Sequence, residues 1–196
     1  MASAVALSPA SRVRILDIAR AALLQHVGHD ETTPGVIPDS PIESSELTAP
    51  AGCFVSLHER VTHRLRGCVG RLDPHAPLAE TVRKTAADVL HDPRFVKSPV
   101  TAAEVAGLEI EVSVLSPPEE ATSPLDFDLL NDGIYLTFGG RAGFFLPQVA
   151  RETGWTREQL LDRLCTEKLG LPPDAWKKPE AKLFTFKVEV VGPEAV

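Results

Sequence analysis

The stretch Cys53-Phe54-Val55-Ser56-Leu57-His58-Glu59-Arg60-Val61-Thr62-His63-Arg64-Leu65-Arg66-Gly67-Cys68-Val69 decides the fold class. Two short strand-like runs, 53–57 and 65–69, are joined by the polar run 58–64. Runs so close together read as an antiparallel hairpin. With Leu57 opposite Leu65, His58 opposes Arg64 and Cys53 opposes Val69, so the Cys53 side chain takes the face opposite Cys68.

Upstream, residues 9–27 form a helix. Ser8 caps it, Pro9 suits its first position and Gly28 supplies the stop. Val13, Leu16, Ala19, Leu23 and Val27 recur at helical spacing as one apolar stripe. Residues 29–50 carry Pro34, Pro38, Pro41 and Pro50 among polar and acidic residues and read as an irregular connection. Downstream, residues 78–90 form a helix behind Pro77, with Val82, Ala86 and Val89 on one side, and Asp92-Pro93 ends it. Thr101 and Glu104 fit a reciprocal capping box. Ile110, Val112 and Val114 alternate with Glu109, Glu111 and Ser113, as a half-buried strand does. Residues 134–138 and 143–146 flank Gly139-Gly140-Arg141-Ala142, a second hairpin. A capping box at Thr156 to Gln159 opens a helix that Gly170 closes, and Phe184, Phe186, Val188 and Val190 alternate in one last strand. The expected architecture is therefore α/β in the α+β sense: a mixed, largely antiparallel sheet flanked by helices, without a regular βαβ series.

Composition narrows the function classes. A chain of 196 residues suits a single domain and buries enough surface to fold without a disulfide or metal staple. With 43% apolar and 24% charged residues it is ordinary globular material. A formal charge of −7 and no basic run argue against a nucleic-acid surface. Met1 to Pro9 lacks a signal-peptide pattern, and no apolar run approaches the ~20 residues of a membrane span. Cys53, Cys68 and Cys165 are irregularly spaced, with no Cys-x-x-Cys, and the histidines form no ligand pair. The expectation is a cytoplasmic protein with reduced thiols, no metal and no resident cofactor.

Walker, His-Glu-x-x-His and Gly-x-Ser-x-Gly motifs are absent. Leu65-Arg66-Gly67-Cys68-Val69-Gly70 is the chemically loaded segment. Glycine inside a strand marks a bulge or the close approach of a ligand. Residues 66 and 68 of a regular strand share a face about 6.6 Å apart, where a guanidinium favours a thiolate. One reading is an activated Cys68 beside an anion-binding Arg66; the other is a strand cysteine acting as a small apolar residue with Arg66 in a surface pair. His58, about 13 Å from Cys68 along the strand, is out of reach as a base. His91 simply closes its helix.

The hexapeptide resembles the signature of the AMMECR domain family, with Val69 where isoleucine is common. The likeness continues through Phe54-Val55-Ser56-Leu57, Asp92-Pro93-Arg94-Phe95, Glu109 to Leu115, Gly133-Ile134-Tyr135-Leu136, Phe145 to Ala150, Gly154-Trp155 and Lys168 to Pro172. It spans about residues 11–190 in one order; only the proline-rich 29–50 segment departs from it. The resemblance implies two unequal lobes with a cleft between them, the hexapeptide near their junction. It implies no established activity, and partners in a three-component set with a Memo-type protein and a radical-SAM protein. It also adds weight to Arg66-Gly67-Cys68 as a functional site.

Two functions are thus expected to compete. In one, Cys68 and Arg66 are catalytic residues acting on a small anionic or carbonyl substrate, alone or as an enzyme component. In the other, the hexapeptide shapes a pocket of a non-catalytic binding or adaptor domain. Gly67, Gly70, Arg94 and Gln148 are the binding candidates: Arg94 for an anion or for pairing with Asp92, Gln148 for a substrate amide or a helix-start hydrogen bond. Trp155, Trp176 and Cys165 read as packing residues.

Overall fold

Both runs of the opening hairpin are strands in a computed structural model that describes residues 6–27, 44–72 and 75–196. In chain order the elements begin with α1 (Pro9–Val27), α2 (Ser45–Thr48), β1 (Gly52–Glu59), β2 (Leu65–Arg71) and α3 (Leu78–Asp88). Two 3-10 turns, Val89–His91 and Pro93–Phe95, lead to α4 (Ala102–Val105), β3 (Leu108–Leu115) and β4 (Glu119–Glu120). Then come β5 (Gly133–Phe138), β6 (Arg141–Phe145), α5 (Pro147–Thr153) and α6 (Arg157–Arg163). A π-helical stretch, Leu164–Leu169, continues α6; a 3-10 turn, Pro173–Lys177, precedes β7 (Lys182–Phe186) and β8 (Val188–Ala195). Two units result, one of Ala6–Leu115 with Glu189–Val196 and one of Ser116–Val188.

In the first unit the sheet runs β2-β1-β3-β8, and β1 pairs antiparallel with both neighbours. Alternation divides its residues cleanly. Val55, Leu57, Ile110, Val112 and Val114 are fully buried on the face covered by α1 and α3. Burying each such side chain contributes about 1.5–3 kcal/mol. The covering stripe of α1 is Ile15, Leu16, Ile18, Ala19, Ala22 and Leu23 rather than one built on Val13, which is 61% exposed. Expected and observed stripes share Leu16, Ala19 and Leu23; the helix is simply rotated toward the two isoleucines. The expected stop at Gly28 and most of the 29–50 connection lie outside the described residues; of that connection, Ser45–Thr48 is one helical turn.

The hairpin register differs from the expected one by two residues. Leu57 faces Gly67, Ser56 faces Cys68 and Cys53 faces Arg71. The cause is a wider turn with His63 at φ 54, plus a bulge where the register shifts between Leu57 and His58. A two-residue offset keeps the parity, so Cys53 still sits on the face opposite Cys68. All three cysteines are free thiols. Burial pushes Cys53 up to about 12, against the neighbouring Thr85 hydroxyl and the Arg71 charge.

In the second unit the sheet runs β4-β7-β5-β6. Ile134, Leu136, Phe145 and Leu183 pack with Leu160, Leu161, Leu164 and Trp176 in one core, which also takes Cys165. The β5–β6 connection is tighter than expected. Gly139 and Gly140 alone make the turn, both at positive φ, as a two-residue hairpin loop requires. Arg141 and Ala142 are therefore strand residues, and Arg141 donates to the carbonyls of Leu169 and Gly170 at the helix end. The single last strand expected over 184–190 is in fact two. At Lys187 the backbone exchanges hydrogen bonds with Ser116, and the chain leaves one sheet for the other. Among the described residues, no helix is long and apolar enough to cross a membrane.

Candidate functional site

The hexapeptide is built into the fold by its second neighbour in the chain, the segment 92–104. Asp92, 3% exposed, caps the turn after it by accepting the Arg94 amide at 2.8 Å. Its other oxygen accepts the backbone N–H of Cys68 at 2.8 Å and the Arg94 guanidinium at 3.0 Å. β2 is an edge strand, and this carboxylate closes one of its outward-facing amides. Burial opposes the Asp92 charge. The two backbone hydrogen bonds, then the charges of Arg94 and Arg66, more than offset it and hold the carboxyl below its ordinary value.

The two glycines answer to aromatic rings. A methyl group on Gly67 would lie 2.4 Å from Cζ of Phe95, and one on Gly70 would lie 2.0 Å from Cδ1 of Phe54. The groups that come close to both glycines are the protein's own rings.

Arg66 is the extra residue of the bulge, so strict alternation does not run from Arg66 to Cys68. Arg66 turns instead to Phe95, the ring that Gly67 makes room for, with its guanidinium 4.5 Å from the ring centroid. The expected shared face for Arg66 and Cys68 is thus replaced by a shared ring for Arg66 and Gly67. Arg66 also donates to Glu104 Oε1 at 2.6 Å and to the Ser98 carbonyl at 2.7 Å. This explains why the capping box at Thr101 is only half formed. Thr101 accepts the Glu104 amide at 3.3 Å, but the Glu104 carboxylate has gone to a guanidinium, a stronger partner than a backbone amide.

Cys68 is half-buried. Its thiol is raised above its ordinary value, chiefly by burial. The Ser56 hydroxyl, directly across on β1, hydrogen-bonds it and works the other way, as does the Arg94 charge; Asp92 and Glu111 add to the rise. The cation whose charge bears on the thiol is therefore Arg94. His58 is a half-buried strand residue facing Leu65, not a turn residue as expected; its Nδ1 lies 3.3 Å from the His63 carbonyl.

Of the candidates, Arg66, Gly67, Cys68, Gly70 and Arg94 come together in the first unit. Gln148 lies in the second, as the second residue of α5 behind Pro147. Its Oε1 is buried without a hydrogen-bond partner among the described residues, so that oxygen makes no helix-start bond. Sequence reasoning passed over Ser56 and Glu111, and gave Asp92 only as a pairing partner for Arg94, a pair that forms. Ser56 faces Cys68 on one side and Glu111 on the other. Alternation over Glu109 to Leu115 already marked Glu111 as a polar-face residue, but the register that sets Ser56 opposite Cys68 was two residues off. Among the described residues no cluster of three or more His, Cys, Asp or Glu side chains could hold a metal.

A family model described as AMMECR1 matches residues 16–191. The chain is 38% identical over 146 residues to Protein MJ0810 of Methanocaldococcus jannaschii, covering 71% of each chain. It is 35% identical over 185 residues to a protein of Methanothermobacter thermautotrophicus, covering 90% of this chain and 91% of that one. Among solved structures, the crystal structure of an uncharacterized protein, PH0010 from Pyrococcus horikoshii, superposes with a TM-score of 0.74 at 33% identity, covering 90% of this chain and 88% of that one.

Proposed function

The chain belongs to the AMMECR1 family, and from that premise we propose that it is a binding component, whose Cys68 surface contacts a small ligand or a protein partner. The thiol is then part of the contact rather than an unaided nucleophile. One observation carries this reading: Arg66, the expected activator, is spent on Glu104, Ser98 and Phe95, and the thiol it was to activate is raised, not lowered. A nucleophilic cysteine works as its thiolate and needs the opposite shift.

The rival is a cysteine-dependent enzyme or enzyme component acting on a small anionic or carbonyl substrate. Arg94 favours it, because its 55%-exposed side chain stands beside Cys68 with only Nη1 tied to Asp92. The groups acting on the thiol offer a hydroxyl, a guanidinium and two carboxylates but no imidazole. Chemistry brought by another protein suits such a set. The proposed partners are the Memo-type and radical-SAM proteins that the resemblance suggests.

Cys68→Ser discriminates. A serine is close in size and keeps a hydrogen bond to Ser56, so the denaturation midpoint is expected to move by no more than the equivalent of ~0.5 kcal/mol. The purified variant should still bind the purified Memo-type or radical-SAM protein of the same host. A wild-type chain that binds neither protein, or that turns over a metabolite alone at ordinary rates and loses that with Cys68→Ser, would defeat the proposal.

A further inference from the structure

The Cys68 face carries an ordered line of charge. Residues directly opposite in antiparallel strands share a face, so Cys68 on β2, Ser56 on β1 and Glu111 on β3 stand in one row across the sheet. Neighbouring strands are about 4.8 Å apart, which sets Cys68 and Glu111 about 10 Å apart at the backbone. Arg94 extends the row at the other end. Asp92 holds both the outward-pointing Cys68 amide and the Arg94 guanidinium on one oxygen, so Arg94 stands just beyond the outer edge of β2. From edge to interior the order is cation, thiol, hydroxyl, carboxylate.

The nearby acids differ in what they do. Glu104 is bound to Arg66, Glu109 to His63, and Asp92 to Arg94 and two amides. The half-buried Glu111 carboxylate makes no hydrogen bond or ion pair among the described residues. Partial burial of an unpaired carboxylate costs stability, and a cation brought to it would offset that cost. Arg94 likewise retains donors that no group among the described residues takes up.

We infer that Arg94 and Glu111 select the ligand of this surface by charge: it is a small zwitterion, with its anionic group against Arg94 and its cationic group against Glu111. Its uncharged middle lies over the half-buried Cys68 thiol, with Ser56 buried beneath the row. This rests on the reading of the Cys68 face as a binding surface, and it names Glu111 as a ligand contact.

The test uses the full chain and the thiol as reporter. Carbamidomethylation of Cys68 by iodoacetamide is followed by peptide mass mapping at pH 8, without and with 6-aminohexanoate, hexanoate or hexylamine at equal concentration. The zwitterion should slow labelling about threefold more than either singly charged analogue, the scale of an exposed ion pair. Glu111→Gln should bring 6-aminohexanoate down to the protection given by hexanoate. Arg94→Gln should bring it down to that of hexylamine, and Arg94→Lys should keep the preference. Equal protection by all three compounds, no protection by any, or a preference that survives both charge-removing variants would overturn the inference. The labelling rate without any protectant bears on the separate matter of thiol activation, so the two readings fail by different measurements.

Discussion

Asp92→Ala is expected to destabilise the fold by about 3 kcal/mol, read as a lowered denaturant midpoint at unchanged slope. The carboxylate is almost fully buried and holds the Cys68 amide, the Arg94 amide and the Arg94 guanidinium. Charge-assisted hydrogen bonds contribute about 1.5–3 kcal/mol, and a buried amide left without its acceptor costs a further ~1–3 kcal/mol, not fully additive. Asp92→Asn, which keeps one acceptor oxygen, should lose about half as much. The pH dependence has a definite sign. Asp92 is held below its ordinary value when folded, so its contribution is complete above about pH 4 and is lost as pH falls through the depressed value. Wild-type and Asp92→Ala stabilities should therefore converge toward acid. A loss under ~0.5 kcal/mol at pH 7 would mean that Asp92 does not fasten the hexapeptide.

Gly67→Ala is expected to cost about 2–3 kcal/mol by overpacking. The new methyl would lie 2.4 Å from a ring carbon of Phe95, which is 3% exposed and stacked under Arg66. Phe95→Ala alone should cost about 3–4 kcal/mol through the cavity it leaves. Combined, the two should cost at least ~1 kcal/mol less than their sum, because the small ring site accepts the methyl that the large one rejects. Strict additivity would show that the glycine is not there to admit the ring. A glycine kept open for an external ligand would tolerate alanine with little loss of stability.

These expectations also mark where the sequence was informative. Alternation over Glu109 to Leu115 and the Pro77-to-Pro93 punctuation placed β3 and α3 almost to the residue, because periodicity and proline geometry act locally. Fold class followed from the closeness of β1 and β2 in the chain. The site was less legible, for a physical reason: its meaning depends on a bulge and on long-range partners. Nothing adjacent to Arg66 predicts that Glu104, 38 residues on, would abandon its helix cap for the guanidinium. Nothing adjacent to Cys68 announces Asp92. The row of Cys68, Ser56 and Glu111 needed a register that turn width and bulge together shifted by two residues. One signal was available. Asp92-Pro93-Arg94-Phe95 and the hexapeptide were both parts of the family likeness, and they prove to be the two halves of one joint.

Under the proposed function, the hexapeptide fastens segment 92–104 and leaves Cys68 as an unactivated thiol. The rate of Cys68 carbamidomethylation as a function of pH tests it most directly, with Cys53 and Cys165 separated by peptide mapping. The inflection is expected above the ordinary thiol value of about 8.5, with a rate at pH 7 below that of free cysteine. Glu111→Gln should move the inflection down, since that carboxylate raises the thiol, and Arg94→Gln should move it up. An inflection below about 8, with labelling faster than free cysteine at pH 7, would contradict the account and return Cys68 to the role of an activated nucleophile.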